Sequence, residues 1–168
     1  MKKSILFFVI IFLFSCTSID YEVKEDDGKK IVVGRISWDK WQEVAGWESY
    51  EPKHYYPDIK YLDRFKELAG RRDIKFILFG ASWCGDSKSE MPKIYELFEI
   101  AGLFMNKVIL YGVDRNKEAL SDIAQDYKIE RVPTLLILED YIEIGRIVEY
   151  PQVSWQVDII DIIEESNI

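Results

Sequence analysis

Cysteine is almost absent from this chain, with 2 in 168 residues, Cys16 and Cys84. Two thiols cannot frame a disulfide-stapled scaffold, in which several bridges stand in for a hydrophobic core. Histidine is scarcer still: His54 stands alone in a stretch broken by Pro52 and Pro57, with no cysteine or second histidine near it. Metal ligands come in clusters of such residues, so no metal site is expected. Basic charge is in deficit, with 22 Lys and Arg against 30 Asp and Glu and a formal net charge of −8. Phosphate backbones are bound by Lys and Arg gathered on one face, so nucleic acid is not an expected partner. Internal repeats, glycine-rich phosphate loops and bilayer-long apolar runs are all missing, which excludes solenoids, nucleotide cofactors and spanning helices. What the chain does have is 48% hydrophobic and 14% aromatic residues. That is too apolar for a disordered chain and suits one domain of ordinary size.

The N-terminus reads as an address. Lys2 and Lys3 precede an uncharged apolar run from Ile5 to Phe14, half the roughly 20 residues that a spanning helix needs. Basic start and short apolar run together suit a secretory signal peptide over residues 1–15. The tetrapeptide Leu13-Phe14-Ser15-Cys16 resembles the lipobox of bacterial lipoproteins. That resemblance implies that Cys16 is lipidated and becomes the new N-terminus. The chain would then be exported and held on the periplasmic or cell-surface face of a bacterial membrane, where several acyl chains on one residue make a stable anchor. Residues 16–30, rich in Asp, Glu and Lys, read as a solvated tether. Residues 31–70 carry Trp38, Trp41, Trp47, Tyr50, Tyr55, Tyr56 and Tyr61. They read as an N-terminal extension packed on the main domain, residues 71–168, with a peptide-binding groove as the alternative.

Periodicity gives the order of elements in the rest. Ile59, Leu62, Phe65 and Leu68 share one helical face, as do Met91, Ile94, Tyr95 and Phe98, and again Leu120, Ile123, Ala124 and Tyr127. Ile74 to Phe79 and Val108 to Val113 are short apolar runs suited to buried strands. Thr134 to Leu138 and Ile142 to Val148 flank a tight turn, and Ser154 is placed to cap a last helix through Val157, Ile160 and Ile163. A βαβ unit followed by a ββα unit predicts an α/β fold, a central mixed sheet flanked by helices.

The first strand-to-helix junction reads Trp83-Cys84-Gly85-Asp86-Ser87. A cysteine at the start of a helix faces unpaired N–H groups and the positive end of the dipole, which stabilise the thiolate. These residues resemble the Trp-Cys-x-x-Cys motif of thioredoxin-fold proteins except in the last position. Pro92, eight residues after Cys84, sits where that family kinks the helix, and Arg131-Val132-Pro133-Thr134 resembles its cis-proline loop. Val113-Asp114 and Gly145 also fit, so the likeness runs from about Phe76 to Ile163.

The resemblance implies a thioredoxin-like fold and thiol-disulfide chemistry at Cys84. Val132 and Pro133 would flank the sulfur and pair with a substrate peptide as an added strand. Trp83, Gly85 and Asp86 would complete the substrate-binding surface. Two departures qualify the chemistry. Ser87 replaces the second cysteine, and Leu78 stands where many thioredoxins bury an acid in the strand. Without a resolving thiol, Cys84 cannot form the internal disulfide that completes reduction of a target. Ser87 is expected to position and activate the sulfur by a hydrogen bond, while the charge on Asp86 opposes its ionisation. The function expected is monothiol exchange on exported protein or peptide thiols and disulfides, with glutathione or another thiol as reductant. The alternative is a non-redox binding or chaperone-like lipoprotein that uses the cis-proline groove. No cofactor is expected.

Overall fold

The computed structural model describes residues 20–47, 55–103 and 107–166. The signal peptide, Cys16, Tyr50 and His54 lie outside the described residues. Six strands form one mixed sheet in the order β1-β2-β4-β3-β5-β6: β1 Asp20–Asp26, β2 Lys29–Ile36, β3 Ile74–Gly80, β4 Val108–Gly112, β5 Thr134–Glu139 and β6 Ile142–Val148. The helices are α1 Trp38–Ala45, α2 Ile59–Ala69, α3 Gly85–Ile100, α4 Ile123–Asp126 and α5 Trp155–Glu165.

Strand β3 sits at the middle because its residues are apolar on both faces. Phe76 and Leu78 point into one core with Trp41, Phe65, Phe98 and Trp155, while Ile77 and Phe79 point into a second with Val113, Val132 and Leu136. This is the two-residue alternation of a strand buried on both sides. It pairs parallel with β4, from Phe76 opposite Val108 to Gly80 opposite Gly112, and antiparallel with β5. The βαβ and ββα units therefore share one sheet.

In its described part, residues 20–30, the segment expected as a tether instead forms part of a hairpin. All seven residues of β1 pair with β2, from Asp20 opposite Arg35 to Asp26 opposite Lys29. Opposite charges face each other at Glu25 and Lys30 and at Asp26 and Lys29, a favourable cross-strand arrangement. The turn is Asp27-Gly28, both at positive φ, 50° and 69°, the two-residue sequence that best matches strand twist. Charge hid the strand, because an exposed edge strand is solvated like a linker and protected by the same polar residues.

The aromatic extension likewise joins the sheet through β2, which pairs antiparallel with β4 at Gly34 opposite Gly112. Gly34 has φ of 105°, and a Cβ there would lie 2.4 Å from the Asp20 carbonyl oxygen. Trp38, Trp41 and Trp47 are buried in the main core, which favours the packing reading for them. Helix α4 is shorter than the periodicity predicts. Upstream of it the Asp114 carboxylate accepts the N–H groups of Asn116 and Glu118, at 2.8 and 3.0 Å, so a side-chain turn takes the backbone bonds a helix would use.

Candidate active site

Strand β3 delivers Ala81-Ser82-Trp83-Cys84 to the start of α3, and Cys84 is the N-cap residue of that helix. Its backbone N–H donates to the Ala81 carbonyl at 3.1 Å and its own carbonyl accepts the Lys88 N–H at 3.1 Å. The side chain makes no capping bond. Half-buried, it lies 3.5 Å from the Val132 carbonyl oxygen, to which Sγ–H donates. The peptide bond that follows, Val132–Pro133, is cis. Sulfur and cis-proline loop are thus brought together from positions 48 residues apart.

That loop is held from several sides. The Glu149 N–H donates to the Pro133 carbonyl at 2.7 Å, Thr134 Oγ1 donates to the Arg131 carbonyl at 2.7 Å, and Arg131 pairs with Glu149 at 3.1 Å. Val132 is 4% exposed, so its side chain anchors the loop in the second core while its carbonyl faces the sulfur.

Ser87 is 0% exposed, and its Oγ accepts the buried Ala81 N–H at 3.1 Å. The expected hydrogen bond from Ser87 to Sγ is not among those of the described residues. The hydroxyl braces the loop before Cys84 rather than the sulfur itself. Asp86 accepts a hydrogen bond from the Tyr150 hydroxyl. That bond, with partial desolvation and nearby carboxylates, pushes the Tyr150 phenol up to about 12. Trp83 donates from Nε1 to the Val113 carbonyl at 3.2 Å, and the Arg115 and Lys117 charges lie 5.2 and 5.7 Å from its ring centre. Gly85 is exposed and nothing lies within 4 Å of where its Cβ would be. This leaves open space at the first turn of α3.

Three further residues tie α3 and the loop before it to the rest of the fold. Ser82 donates to the Lys30 carbonyl at 2.7 Å and accepts the Val32 N–H at 3.0 Å, fastening the hairpin to the active-site loop. Tyr150 engages Asp86 from 64 residues away. Glu90, 6% exposed, accepts from Trp155 Nε1 at 3.0 Å and pairs with Lys93 at 2.5 Å. Leu78 is apolar and fully buried, so in this region the buried acid lies on α3 instead of β3. Near Glu90, burial and then the Glu90 charge push the Tyr55 phenol up to about 12, and its hydroxyl has no hydrogen-bond partner among the described residues. Among the described residues no group of three or more His, Cys, Asp or Glu is placed to hold a metal.

A mixed sheet with a cysteine at a helix N-terminus against a cis-proline loop defines a thioredoxin-like protein. The family model described as thioredoxin matches residues 48–161, and the chain belongs to that family. It is 34% identical over 86 residues to thioredoxin H-type of Fagopyrum esculentum, a match covering 51% of this chain and 69% of that protein. It is 33% identical over 76 residues to a protein disulfide-isomerase of Ricinus communis, covering 45% of this chain and 15% of that protein. Among solved structures, oxidised mitochondrial thioredoxin 3 of Saccharomyces cerevisiae is 29% identical with a TM-score of 0.36, covering 52% of this chain and 76% of that one.

Proposed function

We infer that the chain performs thiol-disulfide exchange with a single reactive thiol, Cys84. The observation that carries this reading is the placement of Sγ at the N-terminus of α3 and 3.5 Å from the carbonyl that precedes the cis-proline. Cys84 as thiolate attacks one sulfur of a target disulfide. The new S–S bond forms as the old one breaks, and the departing sulfur leaves with the electron pair and takes a proton from water. The mixed disulfide then waits for an external thiol, glutathione or another reductant, or for a second thiol of the target. Ser87 cannot play that part, since a hydroxyl forms no disulfide. Its contribution is to brace the loop through the Ala81 N–H.

Isomerisation and removal of mixed disulfides suit such a site better than net reduction. Lipidation of Cys16 would hold the domain at a bacterial membrane on the exported side, among proteins that acquire disulfides there. The test is incubation with a peptide disulfide followed by intact-mass analysis under acid quench. One adduct per chain is expected, mapped to Cys84 and absent from Cys84→Ala. Failure to form it would leave binding without redox turnover as the better reading, which the loss of the second cysteine favours. Under that reading, capture of a partner survives Cys84→Ala.

A further inference from the structure

The cis-proline loop and the start of α3, which meet at Cys84, are both fastened to one turn at the end of β6, Val148-Glu149-Tyr150. The Tyr150 N–H donates to the Val148 carbonyl at 2.7 Å across Glu149, whose φ is 62°. A three-residue turn with its central residue at positive φ is rare and strained, and a side chain stays there only where the surroundings over-determine it. The surroundings here are the site itself. Glu149 reaches the cis-proline loop, its N–H donating to the Pro133 carbonyl at 2.7 Å and its carboxylate pairing with Arg131 at 3.1 Å. Tyr150 reaches α3, its hydroxyl donating to the Asp86 carboxylate.

Asp86 lies in the first turn of α3, directly after the Cys84 N-cap. Its carboxylate and a Cys84 thiolate therefore draw on the same helix end, whose unpaired N–H groups and dipole favour negative charge. Two anions that share this end repel each other. Residues two apart on a helix do not face each other, so a donor can meet the carboxylate without covering the sulfur. Tyr150 is that donor. Its phenol, pushed up to about 12 chiefly by this bond, stays protonated over the range in which thiols ionise. The other charges around this end are Lys88 and Glu90 on α3, Lys29 and Lys30 on β2, and the Arg131–Glu149 pair, with Arg115 and Lys117 near the Trp83 ring. They form a constant background when Tyr150 is changed.

We propose that Tyr150 is a positioning residue of the exchange reaction: its hydroxyl takes up part of the Asp86 charge and holds that carboxylate to the Glu149 turn, leaving the start of α3 to the Cys84 thiolate. The inference rests on the exchange reading and adds to it what tunes the nucleophile. Tyr150 acts through Asp86 and not on the sulfur.

The experiment is the pH dependence of Cys84 alkylation by iodoacetamide, a neutral reagent, in the full chain, followed by mass of the Cys84 peptide. Four chains are compared: the parent, Tyr150→Phe, Asp86→Asn and the double variant. Tyr150→Phe is expected to raise the midpoint by about 0.5 pH unit, about a threefold loss of rate below it. Asp86→Asn is expected to lower the midpoint. Because the hydroxyl works through the carboxylate, adding Tyr150→Phe to Asp86→Asn should leave the midpoint within about 0.1 unit. If Tyr150→Phe does not move the midpoint, or moves it equally with and without Asp86, the proposal falls. Mixed-disulfide formation with a peptide disulfide is measured on the same four chains. Adducts that form while the midpoints stay unshifted remove the proposal alone, whereas no adduct in any chain removes the exchange reading and the proposal with it.

Discussion

Among the described residues four helices have eight residues or more, and they do not begin alike. Ser37, Asp58 and Ser154 open α1, α2 and α5, and each side chain accepts a backbone N–H from the first turn, at 3.4, 2.9 and 3.1 Å. Helix α5 is held further by Asp158, whose carboxylate accepts from Val153 and Ser154 at 3.0 and 3.2 Å. Helix α3 opens on Cys84 in the same extended backbone conformation, with φ −91° and ψ 130°, but without a side-chain bond. Sulfur is a weak acceptor, and a missing cap costs about 1 kcal/mol. The difference separates helix ends capped by their own side chains from the one end whose side chain turns to the cis-proline loop instead.

The comparison can be broken or sharpened by substitution. The largest effect is expected at Ser87. Ser87→Ala leaves the buried Ala81 N–H without its acceptor and should lower unfolding free energy by about 1 to 3 kcal/mol in urea titration. A negligible loss would mean that the loop before Cys84 is not braced as described. Next, Ser154→Ala removes a cap and should cost about 1 kcal/mol by the same measurement. If it costs nothing, the contrast between capped helices and α3 has no energetic content. Cys84→Ser, by contrast, supplies the missing acceptor and should raise stability by about 0.5 to 1 kcal/mol while removing adduct formation. A loss of stability would show that Sγ contributes packing that outweighs a cap.

A smaller effect is expected from alkali. The Tyr150 phenol is held up to about 12 by Asp86, against about 10 in the unfolded chain. The folded state then keeps the proton more tightly. Its contribution is fully present below about pH 10 and is lost as pH rises through about 12. Tyr150→Phe should therefore flatten part of the fall in stability between those values, with the part due to Tyr55 remaining. If the variant falls as steeply as the parent chain, the bond to Asp86 does not persist in solution.

Sequence and structure agree where the signal is local. The strands β3 and β6, the last helix with Ser154 at its cap, and the meeting of Cys84 with a cis-proline all follow from short motifs read in order. They disagree where an interaction joins distant residues or where two physical causes share one composition. Asp20–Asp26 is charged enough for a tether, yet Asp27-Gly28 turns it into an edge strand. From sequence a polar residue at position 87 has two candidate partners, the sulfur and a backbone N–H, and only the fold shows that it accepts from Ala81. The bonds from Tyr150 to Asp86 and from Trp155 to Glu90 span 64 and 65 positions, beyond any periodic pattern.

The central claim is that one thiol acts and that the reaction halts at a mixed disulfide. Its most direct test is intact mass of the parent chain and of Ser87→Cys after mixing each with the same peptide disulfide. The account predicts a persistent single adduct on Cys84 of the parent chain. In Ser87→Cys the adduct should be released, leaving an internal disulfide between positions 84 and 87. A parent chain that stays unmodified while Ser87→Cys reacts would contradict the claim, because Cys84 would then need a second thiol to act at all.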